Sequence, residues 1–120
     1  MQRFTDIKVW QRSHALVLQV YRHTAAFPRE ERFGLTSQMQ RAAVSVPTNI
    51  AEGSKRQGKD DFARFLNIAE GSLAETEYLV ILAGDLSYLK AEVSKPLLAE
   101  IEEIARMLYT LRVKIEQSER

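Results

Sequence analysis

The stretch FARFLNIAEGSLAETEYLVILA, residues 62–83, decides the fold. Its apolar and small residues recur at alternating steps of four and three, the spacing of residues that line one side of a bundled helix. The positions of this seam are Phe62, Leu66, Ala69, Leu73, Thr76, Val80 and Ala83. Asp60 and Asp61 precede the seam and suit the positive end of a helix dipole. We therefore predict a long third helix that begins at this acidic pair and ends near Leu89.

The same alternation returns near the C-terminus and predicts a fourth helix. Its apolar positions are Leu97, Ile101, Ile104, Leu108, Leu111 and Ile115. Ser94 is a candidate cap for this helix, with Pro96 in the first turn, where a missing N–H is tolerated. Because the seams of helices 3 and 4 should face each other, we expect Leu73, Val80, Leu108 and Leu111 to be buried in one core.

Two further helices precede the seam. Asp6 can cap a first helix over about 7–27, which Pro28 ends, and whose apolar face includes Trp10. A second helix is predicted over about 37–56, with Thr36 or Ser37 as its cap.

Pro47 lies inside the predicted second helix. Its ring nitrogen has no hydrogen to donate to the carbonyl of Ala43, so the helix must either bend there or split, with Thr48 available as a new cap. We favour a kinked helix over two separate helices.

No segment alternates with period two, and the connections are too short for crossovers. The sequence therefore predicts an all-α fold, an antiparallel up-down-up-down four-helix bundle with helix 2 kinked at Pro47. With 120 residues, one hydrophobic core suffices, so we expect a single domain over residues 1–120.

Composition narrows the function classes. The chain has no cysteine, which excludes disulfides, thiolate metal ligands and thiol nucleophiles. The N-terminus carries charges where a signal peptide needs apolar residues, and the longest apolar run, 79–83, is too short to cross a bilayer. We expect a cytoplasmic protein.

Catalytic and metal-binding patterns are missing from the sequence. His14 and His23 are nine residues apart on one helix, which places them on opposite faces. Neither a Gly-x-Ser-x-Gly elbow nor a glycine-rich phosphate loop is present. The carboxylates Glu52, Glu70, Glu75 and Glu77 are expected to be solvated or paired with Arg41 and Arg64, not to form an acid pair. We predict no enzyme activity and no catalytic, cofactor or metal site.

The net charge of +1 conceals an asymmetry along the chain. Residues 1–64 hold 11 Lys/Arg against 6 Asp/Glu, whereas residues 65–120 hold 6 against 10. The division suits an anionic partner, or contact between the basic surface of one copy and the acidic surface of another, but solvated faces alone would also produce it.

A basic segment is the candidate nucleic-acid site of this sequence. It comprises Lys55, Arg56, Lys59 and Arg64, joined by Arg41 if helix 2 keeps its phase. Clustered Lys and Arg neutralise phosphates and release counterions. Glu52 and two aspartates interrupt the segment, and no aromatic ladder accompanies it, so a solvated helix end remains the other interpretation.

The hexapeptide NIAEGS occurs twice, at residues 49–54 and 67–72. Its period is too short for a repeat unit of two helices. Small residues on facing helices 2 and 3 would allow close approach of the two backbones, which is the interpretation we favour over duplication.

Four motifs resemble one known family. They are Phe4-x-Asp6-Ile7-x-Val9-Trp10-Gln11, Phe33-Gly34-Leu35-x-x-Gln38, the run from Arg41 to Gly53, and the run from Asp61 to Glu75. Their residues and order are similar to those of the four-helix-bundle proteins encoded in intervening sequences of bacterial 23S rRNA genes. The resemblance covers about residues 4–90.

The resemblance implies an antiparallel four-helix bundle that assembles into a ring, with five subunits as the expected number. It also implies kinship with the accessory proteins of diversity-generating retroelements, similar bundles that bind a reverse transcriptase and nucleic acid. It implies no established biochemical activity. The motif residues Asn49, Glu52 and Glu75 suit a structural hydrogen-bond network or a subunit seam as well as a ligand site.

Two functional hypotheses follow from the sequence. The first is a non-enzymatic, ring-forming adaptor that binds RNA or DNA through phosphate contacts from the basic half. The second is a structural or protein-interaction scaffold whose charged halves serve only self-assembly.

Overall fold

A computed structural model of the chain describes residues 3–118 and contains four α-helices. They are α1 (Lys8–Thr24), α2 (Leu35–Ser54), α3 (Lys59–Asp85) and α4 (Ala91–Glu116), with single 3-10 turns at Phe4–Asp6 and Arg29–Glu31. No strand occurs within this part of the chain. The predicted all-α four-helix bundle is confirmed.

The four helices pack side by side in chain order. α2 contacts α1 and α3, α4 contacts α3 and α1, and no contact joins α1 to α3. Short connections reverse the chain between consecutive helices, so the bundle is antiparallel and measures 49 × 24 × 20 Å. Two consequences matter for function: α1 and α3 lie on opposite sides of the molecule, and α1 packs less extensively against α4 than against α2.

The core lies where the predicted seams meet. Leu73, Val80 and Leu108 are fully buried, as expected. Leu111 is only half-buried, so the prediction for this residue was wrong. Its side chain lines an open groove beside Ile7, Lys8 and Val9 at the start of α1.

The predicted helix caps were also wrong at several positions. Asp6 lies in the first 3-10 turn, and Ile7 precedes α1 without a side-chain cap. Ser94 is inside α4, where its N–H donates to the carbonyl of Lys90 at 2.9 Å, and α4 begins at Ala91. Pro96 is therefore in the second turn. Local preference for a hydroxyl cap is worth only about 1 kcal/mol, which tertiary packing can override.

α2 begins before its predicted caps, because a carboxylate from the preceding turn replaces them. Glu31 accepts a hydrogen bond from the N–H of Leu35 at 3.2 Å through one oxygen and from the hydroxyl of Tyr88 at 2.9 Å through the other. The second hydrogen bond raises the pKa of Tyr88 and ties this connection to the turn between α3 and α4. Thr36 and Ser37 lie within the first turn of α2.

α2 continues through Pro47 as one helix instead of splitting into two. Thr48 does not start a new helix, since its hydroxyl donates to the carbonyl of Val44 at 2.7 Å. The side chain of Asn49 donates in the same way to the carbonyl of Ser45 at 2.8 Å. These side-chain hydrogen bonds go to the two carbonyls that follow Ala43, whose own carbonyl loses its helical donor to the proline.

Two ion pairs tie α4 to its neighbours. Arg12 of α1 donates to both carboxylate oxygens of Glu100, at 2.7 and 2.8 Å, and this lowers the pKa of Glu100 below its usual value. Arg112 pairs with Glu70 of α3. The expectation that Glu70 is either solvated or paired with Arg41 and Arg64 was therefore wrong.

The two copies of NIAEGS have different environments. Gly53 is buried against α3, and a Cβ built there would lie 2.6 Å from the Cβ of Phe65 and 3.0 Å from the Cδ1 of Phe62. Gly71 is exposed, and a Cβ there would have nothing within 4 Å. The close-approach interpretation is confirmed for the first glycine and wrong for the second.

Truncation of Leu108 to alanine should lower the free energy of unfolding by about 2–5 kcal/mol, because it leaves a cavity in the centre of the core. Chemical denaturation measures this change. Leu86→Ala is the matched control, because Leu86 is 47% exposed. The control should change stability by no more than about 0.5 kcal/mol. A loss that small for Leu108→Ala would contradict the assigned core.

The repeated hexapeptide provides a second test with the same substitution at two sites. Gly53→Ala should destabilise the fold by about 1–3 kcal/mol, because the new methyl group collides with Phe65. Gly71→Ala should stabilise it by about 0.5–1 kcal/mol, because alanine favours an exposed helix more than glycine does. Equal effects at the two positions, measured by denaturation, would contradict the packing described for α2 and α3.

Candidate nucleic-acid interface

One end of the bundle gathers the cations of the basic segment. The antiparallel topology brings together the start of α1, the end of α2, the start of α3 and the end of α4. We call this the basic end and define it as residues 3–10, 52–64 and 112–118. It holds eight Lys/Arg against five Asp/Glu. The turn between α2 and α3 contains Gly58 at φ 118°, a conformation that favours glycine.

Arg56 and Arg64 both contact the aromatic ring of Phe65. Their guanidinium carbons lie 4.8 and 4.7 Å from the ring centroid of Phe65, which anchors both as cation–π contacts. Phe65 is only 8% exposed beneath them, so its face is not open to a nucleic-acid base. Arg64 also pairs with Asp61 at 3.1 Å, one turn earlier on α3. Both arginines remain exposed.

Lys59 is directed away from these arginines. Its Nζ donates to the carbonyl of Ser118 at 2.8 Å and to that of Glu116 at 3.3 Å. These carbonyls are at the negative end of α4, where a lysine ammonium is favourable. The contacts of Lys59 within residues 3–118 therefore hold α4 against the start of α3.

The other two residues of the basic segment lie apart on α2. Lys55 follows the last residue of α2 and is exposed beside Arg56. Arg41 is exposed too, but 14 residues earlier, which places it roughly 20 Å away along the helix. The structure thus brings together Lys55, Arg56 and Arg64, and separates Arg41 and Lys59 from them.

The polar residues of the family-like motifs form a seam between α2 and α3. The hydroxyls of Ser45 and Ser72 lie 2.8 Å apart, and Asn49 donates to the hydroxyl of Ser45 at 3.0 Å. Farther along α2, Gln38 donates to Glu75 at 3.4 Å. These contacts link the two helices. Glu52 is exposed and lines a neighbouring groove.

The two histidines of α1 have different environments. His14 is exposed and stacks on Trp10, with ring centroids 5.2 Å apart and planes 7° from parallel. His23 is half-buried. Within residues 3–118, no group of three His, Asp or Glu side chains is placed to hold a metal ion.

None of the described helices combines the length and apolar character needed to cross a bilayer.

α1 and α3 carry opposite charges on opposite sides of the bundle. The chain has no Asp or Glu from residue 7 to residue 29, which includes all of α1. It has no Lys or Arg from residue 65 to residue 89, which includes most of α3. The charge asymmetry of the sequence is therefore also a spatial asymmetry across the molecule.

Both of these sides expose apolar side chains. A groove of about 450 Å³ runs between α1 and α2, and its apolar lining includes Trp10, Val44 and Pro47. We call it the α1–α2 groove. On α3, Tyr78 is 59% exposed and Ile81 is 42% exposed, beside the exposed carboxylates of the same helix. We call this surface the α3 face and define it as Tyr78, Ile81 and the exposed carboxylates Glu75, Glu77 and Asp85. Because contiguous exposed apolar patches can serve as interaction surfaces, both are candidates for contact with another protein or another copy.

Comparison with known proteins identifies the family. The model of the 23S rRNA-intervening sequence proteins matches residues 5–110. The chain belongs to this family. The resemblance noted in the sequence motifs is thus confirmed, and it extends through most of α4.

A solved structure shares the fold of this 23S rRNA-intervening sequence protein. It is the crystal structure of a protein with unknown function from the S23 ribosomal protein family, from Bacteroides thetaiotaomicron. The TM-score is 0.78 at 25% sequence identity, over 87% of this chain and 97% of that one. A comparison with curated proteins finds no match.

Sequence reasoning missed the surfaces that depend on distant residues. The α1–α2 groove joins residues that are more than 30 positions apart, and no local pattern reveals it. Phe33 belongs to a family-like motif, yet it is 87% exposed next to Arg32, whose guanidinium carbon lies 5.2 Å from its ring centroid. An apolar residue in a short connection gives no signal of its exposure before the fold is known.

Proposed function

We propose that this 23S rRNA-intervening sequence protein is a non-enzymatic adaptor of the cytoplasm, built as one domain. It assembles head to tail into a closed ring and binds RNA or DNA through phosphate contacts at the basic end. Five subunits is the number that the family resemblance implies. The ring would present nucleic acid to a protein partner, for which the resemblance suggests a reverse transcriptase.

The observation that carries nucleic-acid binding is the grouping of Lys55, Arg56 and Arg64 at one end of the bundle. The two arginines are held by Phe65, so they lose little side-chain freedom when they contact a phosphate. Arg64 shares its charge with Asp61, which leaves Lys55 and Arg56 as the stronger phosphate ligands. Such contacts neutralise the nucleic-acid backbone without reading its bases, so binding would depend little on sequence.

The observation that carries assembly is the opposite charge of α1 and α3. Because the two helices lie on opposite sides, the α3 face of one copy can meet the α1–α2 groove of the next. Tyr78 and Ile81 would supply apolar contact, and the carboxylates around them would face a helix that has only basic and histidine side chains among its titratable groups, apart from one tyrosine. A contact between two different surfaces repeats, and it closes into a ring when the rotation between copies permits.

Ring assembly also strengthens weak nucleic-acid binding. Each copy offers only two or three phosphate contacts, which by itself gives low affinity. Several copies in one ring act together, because binding at one site raises the effective concentration of nucleic acid at the next. The scaffold alternative, in which the charged halves serve only assembly, predicts the same ring without this binding.

Charge reversal at the basic end tests nucleic-acid binding. Lys55→Glu/Arg56→Glu should abolish retention of a single-stranded RNA or DNA at low salt, and wild-type affinity should fall steeply as salt rises. Fluorescence anisotropy over a salt series measures both effects. Lys59 is left intact, because its replacement would also release the end of α4.

The matched control is Lys90→Glu/Lys95→Glu, which changes net charge equally at the opposite end of the bundle. It should retain binding, and both variants should keep wild-type helicity and oligomer size. If both variants lose binding equally, the loss is due to net charge and not to the basic end. If the wild-type protein does not bind nucleic acid at low salt, the scaffold alternative is favoured.

Complementation between two variants tests the head-to-tail contact. Tyr78→Glu alters the α3 face and Val44→Glu alters the α1–α2 groove, so each should be monomeric alone. Mixed together, they should form a heterodimer, because each variant keeps the surface that the other has lost. Light scattering measures these sizes.

The control for this experiment is Tyr109→Glu, since Tyr109 on α4 is 57% exposed, close to the 59% of Tyr78, but lies outside both surfaces. It should assemble like the wild type. A monomeric wild-type protein at high concentration, or two variants that stay monomeric when mixed, would contradict the contact.

A further inference from the structure

A second groove, distinct from the α1–α2 groove, lies between α1 and α4. It encloses about 500 Å³ beside the first turn of α1 and the C-terminal half of α4. Its apolar lining comes from Ile7, Val9, Met107 and Leu111. Leu111 was expected in the core, and its half-exposed side chain is explained by this groove. We call it the α1–α4 groove.

The α1–α4 groove has the dimensions of a helix-binding site. Its residues on α4 run from Glu103 to Lys114, which corresponds to about 17 Å of helix. An amphipathic helix that inserts side chains at positions i, i+4 and i+7 needs about 11 Å. One flank of the site is held by the ion pair of Arg12 with Glu100, and the NH1 of Arg12 lies 3.9 Å from the sulfur of Met107. This contact fixes Met107 and bridges α1 to α4.

Exposed cations line the rim of the groove. Lys8 and Lys114 are exposed at the groove and form no ion pair within residues 3–118. Arg106 also lines it but is occupied by Glu103, 2.7 Å away, and Glu102, 3.8 Å away. Among the residues that line the groove, the one acidic side chain is Glu103, and its charge is neutralised by Arg106. The rim therefore offers net positive charge on both helices around an apolar floor.

We propose that the α1–α4 groove is a docking site for an acidic amphipathic helix of a partner protein. The apolar side of such a helix would cover Ile7, Met107 and Leu111. Its flanking carboxylates would contact Lys8 on one side and Lys114 on the other. Lys8 and Lys114 belong to the basic end, but the lining of the groove includes neither Lys55 nor Arg56 and shares no residue with the α1–α2 groove.

Charge complementarity selects this occupant over the alternatives. A basic helix would be repelled by the two exposed ammonium groups of Lys8 and Lys114, and an uncharged helix would make no ion pair with either of them. A nucleic-acid strand would contact the lysines but leave the apolar floor without a suitable surface. An acidic amphipathic helix matches the floor and the rim at once.

A synthetic peptide tests the proposal on the full chain. The probe is a helical peptide about four turns long, with leucines on one side and glutamates flanking them. A second peptide carries lysines in place of the glutamates. We expect saturable binding of the acidic peptide, with NMR shifts at the methyl groups of Ile7, Met107 and Leu111 but not of Val44. The lysine peptide should not bind.

The matched variants are Lys8→Glu/Lys114→Glu and, as control, Lys90→Glu/Lys95→Glu. The first variant should bind the acidic peptide about tenfold or more weakly than the wild type does. The second should bind it with an affinity within about twofold of the wild-type value. Failure of the acidic peptide to bind would overturn the proposal, as would equal binding of both peptides. Shifts of the same methyl groups by a single-stranded oligonucleotide, without any by the peptide, would assign the groove to nucleic acid and also overturn it.

Discussion

The bundle depends on the close approach of α2 and α3 at Gly53. A side chain at this position would collide with the Cβ of Phe65, so the two helices can pack as they do only because residue 53 has none. The same approach brings the hydroxyls of Ser45 and Ser72 within 2.8 Å. It also brings Phe65 into contact with Arg56. The packing of α2 against α3 therefore also positions one arginine of the candidate interface.

This arrangement explains why only part of the basic segment forms one surface. Helix geometry makes Arg56 and Arg64 neighbours across the α2–α3 turn, but it turns Lys59 toward the end of α4 and leaves Arg41 far up α2. A cluster of positive charge along a sequence becomes a surface only where helix phase and chain reversal agree. Both conditions hold for Lys55, Arg56 and Arg64. They do not hold for Arg41 or for Lys59, and Lys59 has a structural role at the end of α4.

The fold could be predicted from the sequence because the helical spacing of apolar residues is a local pattern that repeats along the chain. The alternation of four and three in α3 and α4 requires buried stripes, and Leu73, Val80 and Leu108 lie in the core accordingly. Helix starts were less predictable. A hydroxyl cap such as Ser94 competes with packing and with carboxylates from elsewhere, and Glu31 supplies the N-terminal contact of α2 from outside the helix. The surface grooves could not be predicted, since they join residues distant in the chain, such as Ile7 and Leu111.

Opposite charges on α1 and α3 give the molecule two different sides, and the basic end lies across both. In the proposed ring each copy would contribute its own basic end, so one nucleic acid could contact several copies. The most direct measurement is native mass spectrometry of the protein purified from its own host at low salt. We expect one discrete oligomer that carries RNA or DNA and releases it when the salt concentration is raised. A monomer, or an oligomer free of nucleic acid, would contradict the adaptor function.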